Sequence, residues 1–364
     1  MESVRVIEGS ERLLSLDILR GITIAGMILV NNGWENNFSF LEHSNWNGLT
    51  LSDMVFPFFL FMMGITTYIS LSKYGFKSSG GVVKKIIRRS LILFLMGFAI
   101  NYLYASFSTG TLSFQEVRIM GVLQRIAICY LLVSILSLLF SYRILTGIIV
   151  LLLLGYGFLL LSYNGYAPDH SNIAMKIDQQ VMGYSHLYHL KPIDPEGILG
   201  TIPSVANTLI GFLFGRAIVN MENRLVLTRL FGMLGVLMLI AGLMLSFLLP
   251  INKCVWSPTF VLVTCGLASV LEASLVIAVD MKKNGNLVFT FFRIFGVNSL
   301  FLYVMSGVLT VFLEALGISM MLYDIFYQLT RYPKLAALLY SLTFVILNFV
   351  IAYMMYVRKV FIKI

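Results

Sequence analysis

The sequence predicts an all-α integral membrane protein of about ten transmembrane helices, with the N- and C-termini in the cytoplasm. The prediction rests on composition, on the length of the apolar runs and on where the cations fall. Of 364 residues 59% are apolar and only 12% charged, the mean hydropathy is +0.88, and runs long enough to cross a bilayer recur throughout. Lipid cannot satisfy backbone polar groups, so a span must be a helix or part of a closed barrel, and these continuous runs lack the alternation of barrel strands.

In chain order the spans are expected at 13–32, 52–72, 89–105, 121–140, 144–163, 198–216, 229–249, 256–280, 293–315 and 337–357, each near the roughly 20 residues that cross the hydrocarbon core. The first lacks a short apolar region followed by a small-residue cleavage site and reads as a retained helix. A short polar loop holding LEHSNWNGLT (41–50) joins it to the second. The longest connection, 164–197, is rich in Tyr, Asn, Asp, His and Pro, and loops of that length are commonly functional or disordered. No internal repeat or low-complexity tract interrupts the pattern. The whole of 1–364 reads as a single transmembrane domain, with a cytoplasmic segment at 1–12 and an extracytoplasmic loop at 164–197.

Of the 26 Lys and Arg, 18 share a side with both termini, 6 lie on the other side, and Arg20 and Arg125 fall within spans. That asymmetry sets the orientation. The net charge of +9 is accounted for by membrane anchoring and calls for no nucleic-acid partner. One cluster, Lys84, Lys85, Arg88 and Arg89, offers the paired cations that suit the phosphates of a cytosolic ligand. The outer face instead carries all four histidines, His43, His170, His186 and His189, with carboxylates that include Glu35, Glu42, Asp178, Asp194 and Glu196. Such a surface favours a cationic or neutral polar acceptor. Cys129 and Cys265 lie in spans and Cys254 at a helix end, which suggests neither a disulfide framework nor a metal site.

Ionisable residues inside a membrane are costly unless paired or hydrated. Asp17 and Arg20, spaced i, i+3, either form an intrahelical ion pair or leave Arg20 to grip a ligand phosphate. Arg125 has no acidic neighbour at helical spacing, so its partner must come from another helix or from a ligand. Glu272 and Glu314 are the remaining acids expected within spans. Asp53, ten residues after His43, has two readings: it orients the imidazole as a base, or it caps the second helix. His43, a histidine at a membrane surface, is suited to proton transfer near neutral pH, or is a solvated loop residue.

The segments RLLSLDILRG (12–21), HSNWNGLTLSDMVFPFFLFMMG (43–64), GVLQRIAICY (121–130), HLY (186–188), DPEGILGTI (194–202), PINKCVWS (250–257) and NSLFLYV (298–304) resemble heparan-alpha-glucosaminide N-acetyltransferase and its bacterial relatives in the transmembrane acyltransferase superfamily. The motifs run in the same order across essentially the whole chain. The resemblance implies that cytosolic acetyl-CoA supplies an acetyl group to the amine of a terminal glucosamine on the far side of the membrane. The family's catalytic histidine falls on His43, its nearby asparagine on Asn31 or Asn32, and Asp53 matches the acidic residue of the WNGLT segment.

In that frame His43 removes the amine proton, or first carries the acetyl group, and Asn31 or Asn32 donates to the developing oxyanion. Lys84, Lys85, Arg88 and Arg89 would receive the nucleotide of acetyl-CoA, with Arg20 and Arg125 along its route. Trp46, Asn47, His186, Tyr188, Asp194, Glu196, Lys253 and Trp256 are the acceptor-site candidates. Trp46 and Trp256 have the further reading of interfacial anchors, and Asp194 and Glu196 that of acids at a helix start. No metal is implied. The chain departs from the family at Ser306, where eukaryotic members have a histidine, and at Glu272, which lies outside the family pattern. The acceptor stays open between an amino sugar, a glycosaminoglycan fragment and an envelope-glycan hydroxyl. A transporter or flippase for a glycan is the competing class. A bacterial cytoplasmic membrane is the expected location, and a homodimer is compatible with the family.

Overall fold

The structure is a computed structural model that describes residues 13–34, 36–109, 114–188, 193–283 and 285–362. The segment 1–12, Glu35 and His189 lie outside the described residues. Within them the chain is helical throughout: α1 (Leu14–Asn31), α2 (Leu51–Ser72), α3 (Gly80–Thr109), α4 (Val122–Leu139), α5 (Tyr142–Ser162), α6 (Ile173–Met182), α7 (Thr201–Asn220), α8 (Arg224–Leu245), α9 (Pro258–Leu275), α10 (Leu287–Val297), α11 (Ser299–Ala315), α12 (Ile318–Thr330) and α13 (Pro333–Val357). Nine of the described helices are long and apolar enough to cross a bilayer, or ten if the bent pair α10 and α11 is one span. The chain is thus a multi-pass membrane protein.

α1 begins and α13 stops at one end of the bundle, termed the near end. The loop before α2 and the long connection before α7 lie at the far end. α1, α2, α4, α7 and α9 are the more buried spans, while α3, α5 and α8 turn apolar side chains outward. Lipid supplies no hydrophobic drive between helices, so close packing at small residues must do so. A Cβ added at Gly64 of α2 would lie 2.0 Å from the Thr208 carbonyl, and one at Gly21 of α1 would lie 1.7 Å from that of Phe292. The backbones of α2 and α7, and of α1 and α10, touch there.

Three features depart from the expected pattern. The ninth span is not continuous over 293–315: it breaks at Asn298, where α10 and α11 meet at 80°. Tertiary bonds hold the break, because the Asn298 amide donates to Val360 O (2.9 Å) and accepts from Ile362 N (2.9 Å). α12 forms where only a connection was expected. The 164–197 loop contains the short helix α6, whose N-cap Asn172 accepts from Ala174 N at 2.8 Å.

Candidate active site

The loop between α1 and α2 is fastened at several points, which fixes His43 against the start of α2. Trp46 Nε1 donates to Tyr166 O (2.9 Å), Asn252 Nδ2 donates to Asn47 Oδ1 (3.0 Å), and Gly48 N donates to Ile251 O (2.8 Å). Trp46 and Asn47 thus help fasten the loop, and neither lines the cavity that His43 faces.

His43 Nδ1 lies 2.8 Å from Asp53 Oδ1. Asp53 is fully buried, and its other oxygen accepts from Thr50 N (3.1 Å), Thr50 Oγ1 (3.0 Å) and Ser44 N (3.2 Å). The two contacts are compatible: one oxygen caps α2 and the other meets the imidazole. With the Nδ1 proton assigned toward the carboxylate, Nε2 is the basic nitrogen. Lys253 Nζ, 3.1 Å from His43 Nδ1 and 3.5 Å from Asp53 Oδ1, closes the triangle.

This triangle forms one wall of a far-end cavity of about 260 Å3, also lined by Asn31, Asn101, Arg118, Tyr188, Glu196 and Tyr303. Of the two asparagines suggested by the sequence, Asn31 alone lines it. Asn32 is buried, donates to Ile28 O (2.7 Å) and accepts from Thr310.

Opposite His43 stands an ion network. Arg118 Nε donates to Asp194 Oδ2 (3.0 Å), its Nη2 bonds both Asp194 and Glu196 Oε2 (2.6 Å for the latter), and its guanidinium lies 4.6 Å over the Tyr188 ring. Burial pushes the Glu196 carboxyl up, but Arg118, Arg125 and Lys253 outweigh it and hold the group below its ordinary value. Burial likewise lowers Arg118, and Glu196 and Asp194 more than offset it, so the guanidinium is raised. Both groups stay charged. Asp194 and Glu196 are thus partners of a cation rather than acids at a helix start, since α7 begins only at Thr201.

Other candidates are engaged elsewhere. Arg125 is fully buried, donates to Pro195 O (2.9 Å) and Gly197 O (2.7 Å), and lies 5.0 Å over the Trp256 ring. Its partners are loop carbonyls, so it clamps the segment carrying Glu196 instead of lining either cavity. Trp256 is also fully buried and does not line the cavity. His186 Nδ1 lies 2.8 Å from Val117 O and ties the 186–188 turn to the segment bearing Arg118.

A second cavity of about 330 Å3 opens at the near end, with Arg20, Arg89, Tyr130, Asn298 and Ser299 in its walls. Arg89 lies 4.6 Å over the Tyr130 ring, and Arg20 Nη1 is 3.5 Å from Asp17 Oδ1. Arg20 thus pairs with Asp17 and also lines the cavity. Lys84, Lys85 and Arg88 are exposed on α3 and do not line this cavity. The two cavities are stacked along the same helices: α1 supplies Arg20 to one and Asn31 to the other, and α4 supplies Tyr130 and Val122. Arg20 and Asn31 are separated by about 16 Å of helix rise.

Sequence reasoning did not single out Arg118, Asn101 or Tyr303. Asn101 and Tyr303 were detectable as polar residues inside apolar spans; Arg118 had no local signal, because its partners lie 76 and 78 positions away.

The fold and site define a polytopic helical membrane protein with a histidine–carboxylate pair in a polar chamber at one end and a cationic cavity at the other. The chain belongs to the heparan-alpha-glucosaminide N-acetyltransferase family: the profile of that family's catalytic region matches residues 12–249. The human protein named heparan-alpha-glucosaminide N-acetyltransferase is 31% identical over 351 residues, covering 80% of this chain and 52% of its own length. The protein of that name from Mus musculus is 29% identical over 358 residues, covering 82% and 54%. The chain spans about half the length of these curated relatives.

Proposed function

We propose that the chain is a transmembrane acetyltransferase that moves an acetyl group from acetyl-CoA, bound at the near end, to the amine of a terminal glucosamine or related amino sugar at the far end. The observation that carries this reading is the His43–Asp53 contact of 2.8 Å on the wall of the far cavity, stacked over a near cavity with two guanidiniums. Arg20 and Arg89 suit the phosphates of the donor, and the helices shared by the two cavities offer a path for its slender arm.

In the far chamber the ionised Glu196 and Asp53 attract the acceptor as its ammonium. Once that proton has passed to solvent, the neutral amine nitrogen attacks the thioester carbonyl carbon and His43 Nε2 takes the second proton released from nitrogen. Asn31 donates to the oxyanion. The carbon–sulfur bond then breaks, and the thiolate of CoA leaves, protonated by the His43 imidazolium. The reading places both termini in the cytoplasm of a bacterial cell, supported by the 18 to 6 division of cations.

The test uses the full chain in detergent with labelled acetyl-CoA, glucosamine and a panel of amino sugars and envelope glycans, beside His43→Ala. Label on a sugar amine that vanishes in the variant is the expected result. Label on a hydroxyl would correct the acceptor, and failure to bind acetyl-CoA would sink the reading. One observation favours a glycan transporter, the discontinuous helix at Asn298. Substrate movement that survives His43→Ala would support that alternative.

A further inference from the structure

Beside the far chamber, and sharing Asn31, Asn101, Val122 and Tyr303 with it, lies a recess of about 80 Å3. Its polar walls are carboxamides and hydroxyls, among them Asn31, Asn32, Asn101, Gln124 and Thr310, and among the described residues no Lys, Arg, Asp or Glu lines it. It contrasts with the chamber next to it, where carboxylates and cations face each other.

Several of these amides are engaged inside the protein. Asn32 donates to Ile28 O (2.7 Å) and accepts from Thr310, and Asn101 Nδ2 donates to Arg118 O (2.9 Å). Gln124 differs: the residue is 1% exposed and its buried Nε2 has no hydrogen-bond partner among the described residues. Two glycines make room for its amide, since a Cβ at Gly97 would lie 2.6 Å from Gln124 Oε1 and one at Gly121 3.0 Å. A buried donor without a partner destabilises the protein that carries it. Here it lines a recess that shares four residues with the chamber holding His43.

We propose that this recess is a subsite for an uncharged oxygen-bearing substituent, a hydroxyl or a carbonyl, which accepts a hydrogen bond from Gln124 Nε2. The proposal rests on the acetyltransferase reading above. A sulfate or carboxylate would enter without a cation to replace its lost hydration, so the recess selects for neutral groups. The substituent comes from one of two sources, a hydroxyl of the acceptor sugar or a carbonyl of the donor's acyl arm.

Gln124→Met, which keeps the volume and removes the donor, and Gln124→Asn, which withdraws it, are compared with wild type as the purified full chain. Unfolding without ligand should show a midpoint in Gln124→Met at or above that of wild type, because an unsatisfied buried donor is gone. Transfer to glucosamine should fall about tenfold in kcat/KM in both variants. A raised KM for glucosamine assigns the subsite to the acceptor, and a raised KM for acetyl-CoA assigns it to the donor. Lowered midpoints with unchanged kinetics make Gln124 structural and overturn the proposal. If wild type transfers acetyl to no sugar, the acetyltransferase reading fails and ligand-induced stabilisation decides the subsite. Acetyl-CoA or glucosamine raising the midpoint of wild type but not of Gln124→Met supports it; equal shifts, or none, overturn it.

Discussion

The two cavities stand on the same helices and differ in chemistry. In the near cavity the charged lining residues are Arg20 and Arg89, and among the described residues no carboxylate lines it. The far chamber sets His43, Lys253 and Arg118 against Asp53 and Glu196. A wall of cations can hold an anion but has no group that exchanges protons near neutral pH, whereas a wall of opposed charges around an imidazole does. Under the proposed function, donor binding falls to one end and proton transfer to the other.

Removing the imidazole tests the far half of that contrast most severely. His43→Ala should lower kcat by about 10²- to 10⁴-fold while acetyl-CoA binding, followed by calorimetry, stays within experimental scatter. Equal loss of donor affinity would mean the two ends are one site. Asp53→Asn should come next, with a loss on the order of 10²-fold through a misassigned imidazole tautomer. An amide has one oxygen to accept with, so it cannot serve both His43 and the α2 cap, and about 1 kcal/mol of stability should go as well. A variant as active as wild type would reduce Asp53 to a cap.

For the near half, Arg89→Gln is the cleaner variant, because Arg20 also neutralises the buried Asp17. The expected result is a KM for acetyl-CoA raised roughly tenfold or more, with kcat and the KM for the sugar unchanged. A change in kcat alone would contradict a purely binding role for this end.

How far each half was legible follows the range of its contacts. His43 and Asp53 are ten positions apart and Asp53 marks a helix start, so the pair was visible in the sequence. Asp194 and Glu196 were visible as residues, but Arg118, which they bind, was not. Arg125 looked like a ligand contact because a buried guanidinium needs partners, and its partners proved to be the carbonyls of Pro195 and Gly197, which no side-chain pattern records. The spans were read almost in full from their apolar length. The break at Asn298 was missed because bonds to residues 62 and 64 positions later hold it, and α12 lacks the length by which a span is recognised.

A further expected effect separates the charged far end from the rest in a different way, through stability rather than rate. Asp178 of α6 is almost fully buried; its Oδ1 accepts from Ile198 N (2.7 Å) while Oδ2 has no partner. Burial, joined by the nearby Asp194, pushes its carboxyl up to about 6, against the backbone N–H bonds and Arg125 that favour its charge. The folded state therefore holds this proton more tightly than the unfolded chain. Its stabilising contribution is complete below the unfolded value of 3.8 and is lost as pH rises through about 6, a loss of roughly 3 kcal/mol at most. In detergent, the difference in midpoint between wild type and Asp178→Asn should change in favour of the variant as pH is raised from acid to neutral. A difference that stays constant over that range would mean the carboxyl is already ionised in acid, and that this end of the molecule tolerates an uncompensated buried charge.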